Sequence, residues 1–475
     1  MNHLGDAFID GTWRPARGNV LDVIDPATET SAAKITCGSA EDVDEAVSAA
    51  RRAFGDWSTT KPADRADVLD RIVAEYDRRA DDLADAISTE MGSPLSFSRS
   101  VQVVMPRERF VMAAKIIRDY DFEERVGTSL VVREPIGVCA FITPWNWPIN
   151  QAASKIAYGL AAGCTMVWKP SEVSPLSAVI LSEIVASAGL PAGVFNMVQG
   201  EGPTVGAQLS AHPDVDMVSF TGSTRGGVAV AKAAADSVKR VHQELGGKSA
   251  NLILPSADFK QAVAAGTKLC FRNSGQSCQA PTRMLVQRER LAEAEQIARS
   301  AAEDMKTGDP REQGTDLGPL VNETQWRRVE DLIRSGIDEG ARLVTGGPGK
   351  PEGLEVGYYV RPTVFSNVTN DMTIAREEIF GPVLCLIAYD DIDEAIAIAN
   401  DTDYGLATYI SATDTGELHD AARRIRVGRA YLNYAPAKGD VPFGGYRHSG
   451  NGREQGVHGL EDFTELKAIL GFAAA

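Results

Sequence analysis

The chain has 475 residues, 44% of them hydrophobic, and a formal charge of −17 from 48 basic and 65 acidic side chains. That length can bury a large core and suggests two or three domains. The acidic balance excludes a general attraction to nucleic-acid backbones or anionic membranes, although a local basic spot can still meet a phosphate-bearing cofactor.

The first residues, MNHLGDAFIDGTWR, do not read as a signal peptide, and no apolar run reaches the roughly 18 residues of a membrane span. The six cysteines are scattered without C-x-x-C spacing, and the six histidines include no H-E-x-x-H. No disulfide framework and no metal site are therefore expected, and a reduced, cytoplasmic compartment is.

Ala40–Arg52 predicts a helix, with acids at its start and arginines at its end, and Ala63–Ile87 continues with helical periodicity. From residue 131 the pattern changes. Short apolar runs at Gly137–Thr143, Cys164–Trp168, Val194–Val198 and Met217–Phe220 read as strands. Helical stretches at Ile149–Leu160, Ser177–Ser187 and Val228–Val241 lie between or after them. This alternation predicts an α/β fold with a parallel sheet covered on both faces. Asn251–Leu254, Arg283–Val286 and Val383–Tyr389 predict a second α/β region, and a helix resumes at Ala395–Asn400. No internal repeat or flexible linker interrupts the chain, so its domains should dock closely.

Six stretches carry candidate chemistry. Thr143–Pro148 (TPWNWP) is a rigid turn at a strand end, where open parallel sheets bind ligands. Its Asn146 suits either an oxyanion donor or a capped turn. Lys169 and Glu172, in VWKPSEVSP, can read a ribose or phosphate, or form only a surface ion pair. Phe220–Gly227 (FTGSTRGG) offers backbone amides to a pyrophosphate, although it is not the G-x-G-x-x-G fingerprint. Glu244, before Gly-Gly, is either a general base or the end of a helix at a glycine stop. Cys278, in the polar stretch FRNSGQSCQAPTR, looks like part of a loop feeding a helix, whose amides would lower the thiol pKa; a small buried core thiol is the other reading. Glu377–Pro382 (EEIFGP) places acids and an aromatic ring before a turn.

Together and in this order, PWNWP, KPSEVSPL, FTGSTRGG, ELGGKS, GQSCQA, EEIFGP and PFGGYRHSGNGRE resemble the aldehyde dehydrogenase superfamily, in its hydrolytic, NAD(P)-dependent, non-CoA-acylating branch, over residues 5–470. The resemblance implies a Rossmann-like cofactor domain (1–116 and 136–246), an α/β catalytic domain (247–448), and a small β oligomerisation arm with the C-terminal tail (117–135 and 449–475). A homodimer or homotetramer is the family expectation.

Carried over residue by residue, the resemblance makes Cys278 the nucleophile, Glu244 the general base, and Asn146 with the Cys278 N–H the oxyanion donors. Lys169 joins them in the catalytic set. Trp145, Lys169, Glu172, Gly222, Ser223, Leu245, Glu378 and Phe380 would hold NAD. Trp147, Asn150, Gln151, Ser154, Ser277, Gln279, Ala435, Pro436, Ala437 and Phe443 would line the substrate pocket.

The chemistry needs these types. An aldehyde has no leaving group, so a thiolate adds first, hydride then departs, and water hydrolyses the thioester. A carboxylate at Glu172 repels a ribose 2′-phosphate, so NAD is expected over NADP. Several pocket positions are small or polar, which suits medium-chain, aromatic or terpenoid aldehydes. No Arg or Lys falls among them, which disfavours an anionic semialdehyde. A CoA-acylating enzyme is the nearest alternative, and Glu244 speaks for water instead. A thiol esterase would lack a histidine partner placed by motif. A non-catalytic binding protein would not be expected to keep Asn146, Lys169, Glu244 and Cys278 together.

Overall fold

The computed structural model describes residues 2–472. Five parallel strands form the centre of an eight-stranded sheet, in the spatial order Phe195–Met197, Thr165–Lys169, Val138–Ile142, Met217–Thr221, Arg240–Glu244. The chain builds outward from Val138–Ile142 in one direction and then in the other. That reversal opens a crevice beyond the carboxyl ends of Val138–Ile142 and Met217–Thr221, where TPWNWP and the turn after Thr221 emerge. Antiparallel Asp6–Ile9 and Thr12–Pro15 extend one flank, and Gly450–Asn451 pairs with the other.

Three expectations need correction. The first helix runs past Arg52 to Trp57, because the chain goes on to place Trp57 in the core. Its arginines lie short of the last turn and pair with acids, Arg51 with Asp216 at 2.8 Å and Arg52 with Asp10 at 3.1 Å. The start is a capping box, in which Ser39 and Asp42 satisfy each other's backbone N–H. The helix expected at Val228–Val241 instead occupies Thr224–Ala234, capped by Ser223, and Arg240–Glu244 is a strand. Register pairing with Met217–Thr221 overrides the local helical pattern there. Asp6–Ile9 and its partners escaped detection because four-residue strands give too little alternation.

Every residue of helix Pro148–Ala162 is buried. It lies against helices Pro62–Met91 and Val104–Asp119. A second sheet of seven strands follows the order Arg342–Thr345, Thr363–Ser366, Val383–Tyr389, Arg283–Gln287, Ala250–Ile253, Ala407–Ser411, Arg429–Leu432, parallel except for the first. A third sheet pairs the C-terminal strand Thr464–Ile469 with Ser129–Pro135, which also pairs with Glu123–Val126. No helix among the described residues is long and apolar enough to cross a membrane.

Candidate active site

Helix Phe259–Phe271 ends in a tight reversal. Asn273, Ser274 and Gly275 take positive φ values of 59°, 55° and 73°. Two consecutive non-glycine residues in this region are strained, and side-chain hydrogen bonds hold them. Asn273 Nδ2 donates to the carbonyls of Asn146 (3.0 Å) and Gln276 (3.2 Å), and Val321 N–H donates to Gln276 Oε1 at 3.0 Å. Gly275 is obligatory, since a Cβ there would lie 2.1 Å from the Gly381 carbonyl oxygen. The reversal delivers Cys278 on a loop that enters strand Arg283–Gln287. No helix begins after the thiol, contrary to the sequence-based expectation.

Three other motifs close on this loop. Asn146 is buried and donates from Nδ2 to the Gln276 carbonyl at 3.1 Å. Trp147 Nε1 donates to Ser277 Oγ at 3.0 Å. In ELGGKS, a Cβ on Gly247 would stand 2.4 Å from the Cys278 carbonyl oxygen, and one on Gly246 would stand 2.3 Å from Glu378 Oε2. Glu378 Oε1 in turn accepts from the Gly247 N–H at 2.9 Å. The paired glycines are thus the contact surface on which the cysteine loop and the Glu378 carboxylate both rest.

Glu244 ends its strand, so the helix-stop alternative falls. Its carboxylate is buried, neither oxygen has a hydrogen-bond partner, and burial pushes its pKa up to about 7. Cys278 is half-buried. Burial first, then the Glu378 and Glu244 carboxylates, push its thiol well above the ordinary range. The expected lowering gives way to a rise because the thiol is buried, and beside carboxylates, where a helix N-terminus was anticipated. In this state the thiol carries its proton at neutral pH and needs a base to lose it.

On the crevice side, Lys169 is buried, its Nζ 2.9 Å from Glu172 Oε2 and bonded to the Gly200 carbonyl. It is therefore not a fully exposed surface pair. Ser223 Oγ accepts from the Gly226 N–H at 3.2 Å and caps helix Thr224–Ala234. Gly222 and Gly226 both face Phe220, whose ring would meet their Cβ atoms at 2.6 and 2.8 Å. Leu245 is buried against Gly227. Phe380 (φ 60°) stands edge-on to Trp145 at 5.4 Å between centroids.

A cavity of about 650 Å³ opens on Cys278. Trp147, Asn150, Gln151, Ser277, Gln279, Pro436, Ala437 and Phe443 line it, as expected. Ser154 does not: it is buried in helix Pro148–Ala162, outside the lining. Ala435 lines an adjoining cavity of about 540 Å³ that shares the Tyr409 and Tyr431 wall. Those two tyrosines stack at 4.7 Å and were not legible as pocket residues, being register partners on two adjacent strands that are far apart in sequence. The expectation of a pocket without cations is also wrong. Arg109, Arg272, Arg429 and Lys438 reach its wall from distant segments, beside Glu108, Asp440 and Glu454.

The sequence profile described as the Aldehyde dehydrogenase family matches residues 13–469. A 3-succinoylsemialdehyde-pyridine dehydrogenase from a Pseudomonas species is 50% identical, with 99% of each chain covered. Aldehyde dehydrogenase C (AldC) of Pseudomonas syringae, a mutant crystallised with NAD+ and octanal, is 53% identical with a TM-score of 0.99, covering 100% of this chain and 98% of that one. An aldehyde dehydrogenase of Mycobacterium tuberculosis in complex with NAD+ is 40% identical, with a TM-score of 0.96 and 98% of each chain covered.

Proposed function

The chain belongs to the aldehyde dehydrogenase family, and on that footing we propose that it oxidises medium-chain, aromatic or terpenoid aldehydes to carboxylic acids with NAD+ and water. The carrying observation is a roomy cavity ending on the Cys278 thiol, with the unpartnered Glu244 carboxylate near enough to perturb that thiol.

The residues divide the work as follows. Glu244 accepts the thiol proton, and the Cys278 sulfur adds to the carbonyl carbon. The second N–H of the Asn146 amide and the Cys278 N–H hold the resulting oxyanion. One such donor contributes about 3 kcal/mol to the transition state. The crevice fits a dinucleotide: the capped helix Thr224–Ala234 turns its N-terminal amides outward behind two glycines, while Lys169–Glu172 and Glu378 offer polar contacts to the riboses. Held there, NAD would supply the acceptor for the hydride of the thiohemiacetal carbon. Glu244 passes the thiol proton to solvent and, as a carboxylate again, takes a proton from water; hydroxide adds to the thioester, and the acid departs as the Cys278 sulfur is released. Trp145 and Phe380 form an aromatic wall beside the reaction. The domains divide as the family implies, and the three-stranded sheet ending in Thr464–Ile469 is the arm of a homodimer or homotetramer. Its exposed Val126, Leu466 and Ile469 suit burial against a second copy.

The substrate class follows from the wall. Stacked tyrosines and Phe443 suit alkyl chains and rings, and the octanal complex of the P. syringae relative agrees. The four cations on the wall remove the earlier argument against a semialdehyde, and the Pseudomonas relative is named for one. A panel read by NADH absorbance tests the class. Octanal and benzaldehyde should exceed acetaldehyde in kcat/KM by roughly tenfold or more, since each buried methylene contributes about 0.8 kcal/mol. Equal values, or turnover that requires CoA, would overturn the assignment. NADP at equal low concentration should support less than about a tenth of the NAD rate, and Glu172→Ala should narrow that gap. Equal rates with both cofactors in the unaltered protein would refute the role given to Glu172.

A further inference from the structure

His242 and Glu244 are two residues apart on strand Arg240–Glu244 and so face the same side. The His242 ring is buried between two carboxylates. Its Nδ1 bonds Asp462 Oδ2, and its Nε2 lies 3.8 Å from Glu244 Oε1. At that distance the two are not hydrogen-bonded, and neither His242 Nε2 nor Glu244 Oε1 has a hydrogen-bond partner. We propose that His242, anchored by Asp462, is a positioning residue that directs its Nε2–H at Glu244 and keeps that carboxylate ionised and oriented for proton transfer. The proposal rests on Glu244 being the general base.

The anchor is built in. Arg240 donates to the Asp462 backbone carbonyl at 2.8 Å and to Glu465 at 2.7 Å, which holds the segment carrying Asp462 against the strand. Gly452 lies flat on the ring, where a Cβ would come within 2.8 Å of Nδ1. Gly444 covers the other partner, with a Cβ position 2.7 Å from Glu244 Oε1. A side chain at either glycine would press on this pair.

The charges around the ring also favour the imidazolium. Asp462 and Glu244 face it directly. Lys155, from helix Pro148–Ala162, opposes it but is itself paired with Glu454 at 2.5 Å. Arg453 passes its side chain beside Gly444 and spends its N–H groups on the Gly445 and Gly452 carbonyls. Burial alone would neutralise the ring; Asp462 and then Glu244 overcome it and lift its pKa to about 9. At pH 7 the ring is therefore a cation, and a cation at this distance favours the charged form of Glu244. It works against burial and Glu454, which push Glu244 up.

The test is the pH profile of kcat for the full-length enzyme and for His242→Gln, which keeps a donor and loses the charge. The acid limb should move up by about one pH unit, so that the rate at pH 6.5 falls roughly tenfold while the profiles converge above pH 9. Asp462→Asn, at the more exposed end of the chain of contacts, should shift the limb in the same direction by less. It keeps the proposal testable if His242→Gln does not fold. An unmoved limb in the folded variants, or a fall by one factor at every pH, would overturn the proposal and leave packing as the role of His242. Glu244→Gln, run in parallel, separates the two levels. If that variant retains the acid limb, the base assignment itself fails.

Discussion

Cys278→Ala should abolish NADH production with every aldehyde, by roughly 10⁴-fold or more, while NAD+ affinity changes less than about twofold. The magnitude follows from the order of events. Hydride cannot leave the carbonyl carbon until a nucleophile has added, and removing the sulfur removes that step rather than slowing it. The loss should not be confused with unfolding. Cys278 is half-buried at a cavity wall, and the loop that carries it is held by hydrogen bonds among Asn273, Gln276 and Asn146 that do not involve the sulfur. The melting temperature should therefore stay within a few degrees. Cys278→Ser should be nearly as inactive, because a hydroxyl in this anionic surrounding is harder still to ionise. NADH formation at more than about 1% of the wild-type rate in Cys278→Ala would remove the thiol from the mechanism.

The strand and helix alternation from Gly137 onward was legible because each run is long enough to show its period. The central strands came out within a residue or two: Val138–Ile142, Met217–Thr221 and Val383–Tyr389. What failed was local and had a tertiary cause. Arg240–Glu244 reads as the continuation of a helix until its hydrogen bonds to Met217–Thr221 are known. The Cys278 loop reads as a helix entrance because small polar residues and a glycine favour both, and only the left-handed run Asn273–Gly275 shows that the chain has turned back.

The motifs singled out most of the residues that the fold brings together around Cys278, but not what surrounds them. ELGG could be singled out; that its glycines touch Glu378 and the Cys278 backbone could not. The thiol's direction of shift was misjudged for the same reason, since its burial, and after that the carboxylates of residues 378, 244 and 454, come from the tertiary packing. The pocket cations Arg109, Arg272 and Arg429, and the tyrosine pair, have no pattern in the sequence at all. They meet only where helix Val104–Asp119, the end of helix Phe259–Phe271 and strands Ala407–Ser411 and Arg429–Leu432 face the same cavity.

Glu244→Gln carries the second large effect, and its signature differs from that of the cysteine variant. The steady-state rate should fall about 10²- to 10³-fold, the usual worth of a positioned base. A first-turnover burst of NADH, close to one per active site, should remain visible because hydride leaves before water is needed, but slower, because the thiol must then lose its proton to solvent hydroxide instead of Glu244. The acyl group then waits on Cys278, and mass spectrometry of quenched enzyme should show it. In the unaltered protein the rate should rise with pH through about 7. Below that value the buried carboxyl already holds its proton and is too weakly basic to accept another; above it the carboxylate is available. The same shift has a stability consequence of definite sign. A carboxyl whose folded-state pKa lies above its unfolded value favours the fold most below the unfolded value, and that contribution is lost as pH rises through about 7. Glutamine keeps the volume without the charge, so Glu244→Gln should melt at or above the wild-type temperature at pH 8 although it is nearly inactive. A steady-state rate within about threefold of wild type, with no acyl-enzyme trapped, would show that water reaches the thioester without Glu244.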